Sequence, residues 1–191
     1  MKKLLFLLVA LSFTAATFSQ QKTAVLVIDI QKFYFPGGSL PLVEPEKAAA
    51  NAALLIDNAR RQNIPVIFVQ HKSSSGMDMP EIIKPLPGEA IFVKEEANSF
   101  LGTGLLDHLR KMQTDTLVIC GMQTHMCVEA AVRAAHDYGF KVILVHDACA
   151  TRNLNYEGRE VAAGDVQTAV LAAMKSYATV ESTSQWIKSW K

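Results

Sequence analysis

The sequence predicts an α/β protein, a three-layer doubly wound sandwich on a mainly parallel six-stranded sheet. Three observations predict it. Apolar β-branched runs such as residues 23–30, TAVLVIDI, lack polar alternation, as strands covered on both faces do. These runs alternate with helical patterns along the chain, which is the order of βαβ units. The 191 residues, 50% of them hydrophobic, suffice for one core and are too few for two domains of ordinary size.

The N-terminus is set aside first. Lys2 and Lys3 form a positive start, Leu4 to Leu11 a short apolar run, and Ser12 to Ser19 a small and polar stretch before Gln20 and Gln21. This tripartite pattern predicts a signal peptide over residues 1–20 and a mature domain over 21–191, exported to the periplasm or the medium. The apolar run is too short to span a bilayer. Its removal takes Lys2 and Lys3 with it. With 19 Lys and Arg against 18 Asp and Glu, and no basic run farther on, no nucleic-acid or membrane-surface footprint is expected in the mature form. A small molecule or another subunit is the expected partner.

The first strand, 23–30, carries Asp29 near its carboxyl end. In an open parallel sheet ligands bind beyond the carboxyl ends of the strands, and a buried carboxylate there needs a compensating partner. The loop that follows holds Phe33, Tyr34 and Phe35 before a Pro-Gly-Gly turn. Phe33 and Phe35 could line an apolar pocket over a site, or anchor the loop by packing. A helix runs from about Pro45 to Gln62 and ends at Asn63. Residues 64–70, IPVIFVQ, give the second covered strand, with His71 at its end. That place suits substrate binding. A lone His without neighbouring ligands at metal spacing is more often a hydrogen-bonding loop residue, so no metal site is assigned.

Residues 72–90, rich in Ser, Gly and Pro, form a loop long enough to bind or cover a ligand. A short strand, 91–93, then leads into Lys94, either a crevice residue or a solvated surface lysine. A helix follows from about Gly104 to Met112. The stretch from Thr116, TLVICGMQTHMCVEAAVRAA, reads as a buried strand, a turn at Gly121 and a helix whose first turn carries Cys127. Free N–H groups and the helix dipole at such a start favour thiolate over thiol. KVILVHDACA is the fifth strand, with His146 and Asp147 in a structural role. Residues 157–175 read as the last long helix, on an apolar stripe of Val161, Val166, Ala169, Val170 and Ala173. YATVEST is an edge strand, and SQWIKSW a terminal amphipathic segment.

Cys120, Cys127 and Cys149 are an odd number, so at least one thiol is free within the monomer. Neither G-x-G-x-x-G nor a Walker A sequence follows any strand, which argues against dinucleotide and nucleoside triphosphate cofactors. Asp29, Lys94 and Cys127 fall on one rim of the sheet. Periodicity gives that convergence but no reaction.

VLVIDIQ with Asp29, FVKEEANSFLGTGL with Lys94, CGMQTHMCVEAA with Cys127 and VHDACATR together resemble the isochorismatase-like cysteine hydrolases. The resemblance runs through essentially the whole mature chain in order, and its most specific part is Gly121, Thr124, Cys127 and Val128. It implies the Rossmann-like isochorismatase sandwich, an Asp29-Lys94-Cys127 catalytic triad, and a homo-oligomer. It also implies a non-proline cis peptide between Met122 and Gln123, which turns the backbone N–H groups of Gln123 and Cys127 into an oxyanion hole. In that scheme Asp29 takes the thiol proton, Lys94 offsets its charge, and Cys127 attacks a small amide or related C–N substrate through a thioester. Nicotinamidases in the family carry an Asp-x-His metal set after the second strand. Here that place reads Gln70, His71, Lys72, so no metal or other cofactor is expected. Vinyl-ether hydrolysis, in which Cys127 is incidental, and a non-catalytic binding protein that kept the fold are the alternatives.

Overall fold

The computed structural model describes residues 22–190, and the predicted signal peptide lies outside them. In chain order the elements are β1 (Thr23–Ile28), α1 (Pro45–Arg61), β2 (Val66–His71), β3 (Ala90–Lys94), α2 (Leu105–Lys111), β4 (Thr116–Met122), α3 (Glu129–Asp137), β5 (Lys141–Ala150), β6 (Leu154–Tyr156), β7 (Arg159–Val161), α4 (Ala163–Met174), β8 (Thr179–Glu181) and α5 (Thr183–Ser189). One sheet has the order β3-β2-β1-β4-β5-β8, and each of its pairings is parallel. The chain crosses to one side of β1 to make β2 and β3, and to the other to make β4 and β5. The switch point between β1 and β4 is where a crevice opens in such sheets.

All six residues of β1 are buried because both faces of the strand are covered. Val25 and Val27 pack with α1 and with Trp186 of α5; Ala24, Leu26 and Ile28 pack with α2, α3 and Met174 of α4. The alternation that separates these sets is the period-2 geometry of a strand. It divides the apolar residues into two cores with the sheet between them.

Local chemistry explains the helix ends. Pro45 fits the first turn of α1, where its missing N–H costs nothing, and Arg60 and Arg61 lie at the negative end of the dipole. Ala48, Ala52, Leu55, Ile56 and Ala59 form its buried stripe. Asn63 then adopts φ +55, a left-handed stop that Asn tolerates. In α5 the Ser182 hydroxyl accepts from Gln185 N–H while the Gln185 side chain accepts from Ser182 N–H, a complete capping box. Asp147 Oδ1 accepts from both Thr183 N–H and Thr183 Oγ1 at 2.8 Å, which fastens α5 to β5.

One expectation fails. Residues 157–161 are not helical: β6 and β7 form an antiparallel hairpin, and the helix begins only at Ala163. The two-residue loop is Glu157-Gly158, both with positive φ, at +51 and +78. Gly158 is the residue that suits such a hairpin turn, and Val161 belongs to the hairpin rather than to a helix stripe.

Candidate active site

Asp29 is the first residue past β1. Its φ is +49, a left-handed conformation costing a non-glycine residue on the order of 1 kcal/mol. Its N–H donates to Val69 O at 2.9 Å, so β2 holds it in that conformation. The side chain is fully buried. Lys94 ends β3 and is also buried. Gly121 in β4 brings the third component close: a Cβ there would stand 2.0 Å from Ile28 O, and its φ of +139 also excludes other residues. β4 can therefore approach β1 just beside Asp29.

After Gly121 the Met122–Gln123 peptide is cis. Residues Thr124–Val128 then make a π turn, and α3 continues from Glu129. Gln123 O accepts from Met126 N–H at 3.1 Å and Val128 N–H at 3.2 Å. The Cys127 amide, between them, is not among its donors. Thr124 Oγ1 donates to Ala150 O at 3.1 Å and ties the turn to β5. Cys127 is thus carried by a π turn joined to α3, not by the first turn of a regular α-helix.

Lys94 Nζ is the hub. It lies 2.7 Å from Asp29 Oδ2, 3.2 Å from Cys127 Sγ, 3.0 Å from His71 Nδ1 and 3.0 Å from Glu96 O. The contact with Asp29 is a close ion pair without hydrogen-bond alignment, and neither carboxylate oxygen has an aligned donor among the described residues. An ion pair removed from water persists only if its partners compensate the lost hydration. Here the remaining ammonium contacts supply part of that compensation.

The electrostatics reverse one expectation. Burial raises the Asp29 carboxyl above its ordinary 3.8, against the lowering effect of Lys94. Burial first, and the Asp29 charge second, push the Cys127 thiol up to about 12. The position had suggested a thiol ready to ionise by itself. Burial and a neighbouring carboxylate outweigh the turn's dipole, and the thiol keeps its proton until a base takes it. Burial raises the Tyr34 hydroxyl too, with Cys127 and Asp29 adding in the same direction.

The structure brings Asp29, Lys94, Cys127 and His71 together. His71 is not a loop residue: it ends β2 and pairs in register with Lys94. Phe33 and Phe35 line a crevice of about 440 Å³ with Gly38, Ser75 and Gly76, whose lining does not include Asp29, Lys94 or Cys127. The aromatic on the site side is Tyr34, whose hydroxyl accepts from Gln123 Nε2 at 3.3 Å, while Arg152 Nε donates to Gln123 Oε1 at 3.2 Å. Sequence reasoning passed over Gln31, which is fully buried. Its Oε1 accepts from His71 N–H at 2.7 Å, and its Nε2 donates to His71 O at 3.0 Å and Met77 O at 3.1 Å. Its place two residues after Asp29 was the only signal.

Asp29, His71 and Cys127 each offer a donor atom, and these atoms lie within 4.8 Å of one another, close enough to hold a metal ion. Lys94 Nζ touches all three side chains. The ammonium therefore occupies the place a bound cation would need.

The isochorismatase domain family matches residues 23–185. YddQ of Bacillus subtilis, an uncharacterised isochorismatase family protein, is 42% identical over 178 residues, covering 87% of this chain and 99% of its own. Streptothricin hydrolase of Streptomyces noursei is 32% identical over 164 residues, covering 81% of this chain and 57% of its own. The crystal structure of a cysteine hydrolase from Pseudomonas syringae pv. phaseolicola superposes with a TM-score of 0.83 at 26% identity, covering 88% of this chain and 92% of the other. The chain belongs to the isochorismatase family and is a hydrolase.

Proposed function

We propose that the mature chain is an exported cysteine hydrolase that cleaves a small amide or related C–N bond, with Asp29, Lys94 and Cys127 as its triad. The observation that carries this reading is the single ammonium of Lys94 in contact with both a buried carboxylate and a buried thiol. Around one fixed positive charge, one proton can pass between Asp29 and Cys127 while the net charge of the cluster stays the same. Thiol with carboxylate and thiolate with carboxylic acid are then two protonation states of one site.

In the first step Asp29 takes the Cys127 proton as the sulfur attacks the substrate carbonyl carbon. The carbonyl π electrons move to oxygen, and the backbone N–H groups of Gln123 and Cys127 receive the oxyanion. In comparable hydrolases each such donor is worth about 3 kcal/mol. The tetrahedral intermediate collapses, the C–N bond breaks, and Asp29 returns its proton to the departing nitrogen. A thioester and an amine or ammonia result. Water then attacks the thioester with Asp29 as base, and collapse releases the acid and restores the thiol. Lys94 holds the carboxylate in place and offsets its charge throughout.

Incubating the mature protein with a panel of small amides and measuring released amine or ammonia tests the proposal. Activity in the parent and its loss in Cys127→Ala and Asp29→Asn support it. Equal release from all three proteins overturns it, and so does turnover of isochorismate that survives Cys127→Ala. The export part rests on the residue 1–20 pattern. Intact mass of protein recovered from the producing cell's envelope or medium tests it: a chain that keeps residues 1–20 rejects it.

A further inference from the structure

The six-stranded sheet ends in β8 on one side and in β3 on the other. An edge strand offers unpaired N–H and C=O groups to other chains, and proteins blunt such edges with short strands, bulges, charges or proline. β8 is blunted: it has three residues and runs at once into α5. β3 is not. It has five residues, AIFVK, and pairs with β2 without a register shift.

The backbone groups of β3 divide by alternation, since successive residues of a strand turn their N–H and C=O to opposite edges. Lys94 O accepts from Lys72 N–H at 2.8 Å, so Lys94, and with it Phe92 and Ala90, faces β2. Ile91 and Val93 turn their groups outward. Among the described residues no backbone partner meets these four groups. The two side chains share one face of the sheet, two residues apart, and each is 49% exposed. Glu81, Lys84 and Pro85 line a crevice together with Ile91, and their segment carries the exposed Ile82 and Leu86.

We propose that β3 pairs antiparallel with β3 of a second copy of this chain, about a two-fold axis at Phe92, so that the two sheets continue into one. In that register Ile91 stands opposite Val93 of the second copy, and each such pair exchanges two N–H···O bonds. All four outward groups on each strand are then satisfied, and the apolar side chains meet on one face. Charge selects the same register. Glu89, before the exposed pair, is held by Arg60 at 2.8 Å, and Glu95, after it, by Lys72 at 2.6 Å. The two-fold sets the Arg60–Glu89 pair beside the Lys72–Glu95 pair of the second copy, which balances two cations against two anions at each end. An axis at Ile91 would instead set Val93 against Glu89, and an axis at Val93 would set Ile91 against Glu95. No triad side chain takes part, so this pairing stands or falls separately from the hydrolytic reading.

Sedimentation velocity of the mature protein at about 100 µM, enough to populate an interface at the small end of the specific range, should show a dimer. A monomer there overturns the proposal. Two double variants assign the surface. Ile91→Lys with Val93→Lys, and Ile91→Glu with Val93→Glu, should each sediment as a monomer, because like charges then face each other across the axis. Mixed in equal amounts, the two should associate as a dimer. Circular dichroism checks that each is folded. A dimer that persists in either folded variant alone, or folded variants that stay apart when mixed, overturns the assignment. Hydrogen exchange read residue by residue on the unmodified protein needs no variant. From about 1 µM to about 100 µM exchange should slow at the Ile91 and Val93 amides and stay the same at Phe92 and Lys94, which face β2. Unchanged exchange at Ile91 and Val93 in a protein that dimerises over that range overturns it as well.

Discussion

Lys94 Nζ stands 2.7 Å from Asp29 Oδ2, and neither side chain has any exposed surface. The charges come from β3 and from the end of β1, with β2 between these strands in the sheet. Lys94→Met should therefore do two things. It leaves a buried carboxylate without its counter-charge, a change that costs about 3 to 5 kcal/mol in comparable sites. It also drives Asp29 toward its protonated form, which cannot accept a proton from Cys127. Urea denaturation should show the loss of stability, and hydrolysis should be abolished even where the variant remains folded.

The pH dependence of turnover follows from the same burial. Asp29 must be a carboxylate to act as base, and its carboxyl is raised above 3.8 by desolvation. Activity should consequently be lost on acidification at a pH above that of an ordinary aspartate. An acid limb at the normal carboxylate position, measured as kcat/KM against pH, would mean that Asp29 is hydrated in the working enzyme.

Alkaline stability gives a second pH test with a definite sign. The thiols of Cys127 and Cys149 are each pushed from 9.0 up to about 12, chiefly by burial. Between those values the folded state binds more protons than the unfolded chain, so stability falls as pH rises from about 9 to about 12. Each thiol steepens the fall by up to about 1.4 kcal/mol per pH unit. Cys149→Ala should flatten the slope of unfolding free energy against pH. An unchanged slope would show that this thiol ionises as readily folded as unfolded.

Gly121→Ala tests how the carboxylate and the thiol are brought together. The added Cβ would lie 2.0 Å from Ile28 O, a main-chain atom immediately before Asp29. β1 and β4 must separate to admit it, at a cost on the order of 3 kcal/mol, the upper range for overpacking a core. Because the displacement falls beside Asp29, kcat should drop further than the loss of folded protein explains. Thermal unfolding and turnover corrected for folded fraction separate the two effects.

Much of this architecture was legible because it rests on local pattern. Strands covered on both faces leave unbroken apolar runs, and Asp29, Lys94 and Cys127 interrupt or follow such runs. What stayed hidden depends on contacts across the sheet. His71 looked like an isolated loop histidine because its partner, Lys94, is 23 residues away and meets it only through the β2–β3 register. The Cys127 thiol looked ready to ionise because its turn is local, whereas the burial and the carboxylate that raise it are tertiary. Tyr34 could not be told apart from Phe33 and Phe35, since a three-residue turn gives no period by which to choose. The hairpin at 154–161 was lost to helical spacing even though Gly158 marked it.

Gln31 offers the last test, because its side chain does the work of a missing strand residue. β1 ends at Ile28, yet the Gln31 amide continues the pairing by binding both the N–H and the C=O of His71 and, in addition, Met77 O. Gln70 Nε2 also donates to Met77 O at 3.0 Å, so two glutamines hold the segment that follows β2. Gln31→Leu keeps the volume and removes the first set of bonds. It leaves the half-buried His71 N–H without its partner, a penalty of about 1 kcal/mol, the low end for an unsatisfied donor. Hydrogen exchange should quicken at the His71 amide, and limited proteolysis should cut faster within residues 72–80. Exchange at Val27, inside β1, should change only by the global loss of stability. If the His71 amide stayed as protected as in the parent, the pairing with β3 would be holding it without help from Gln31.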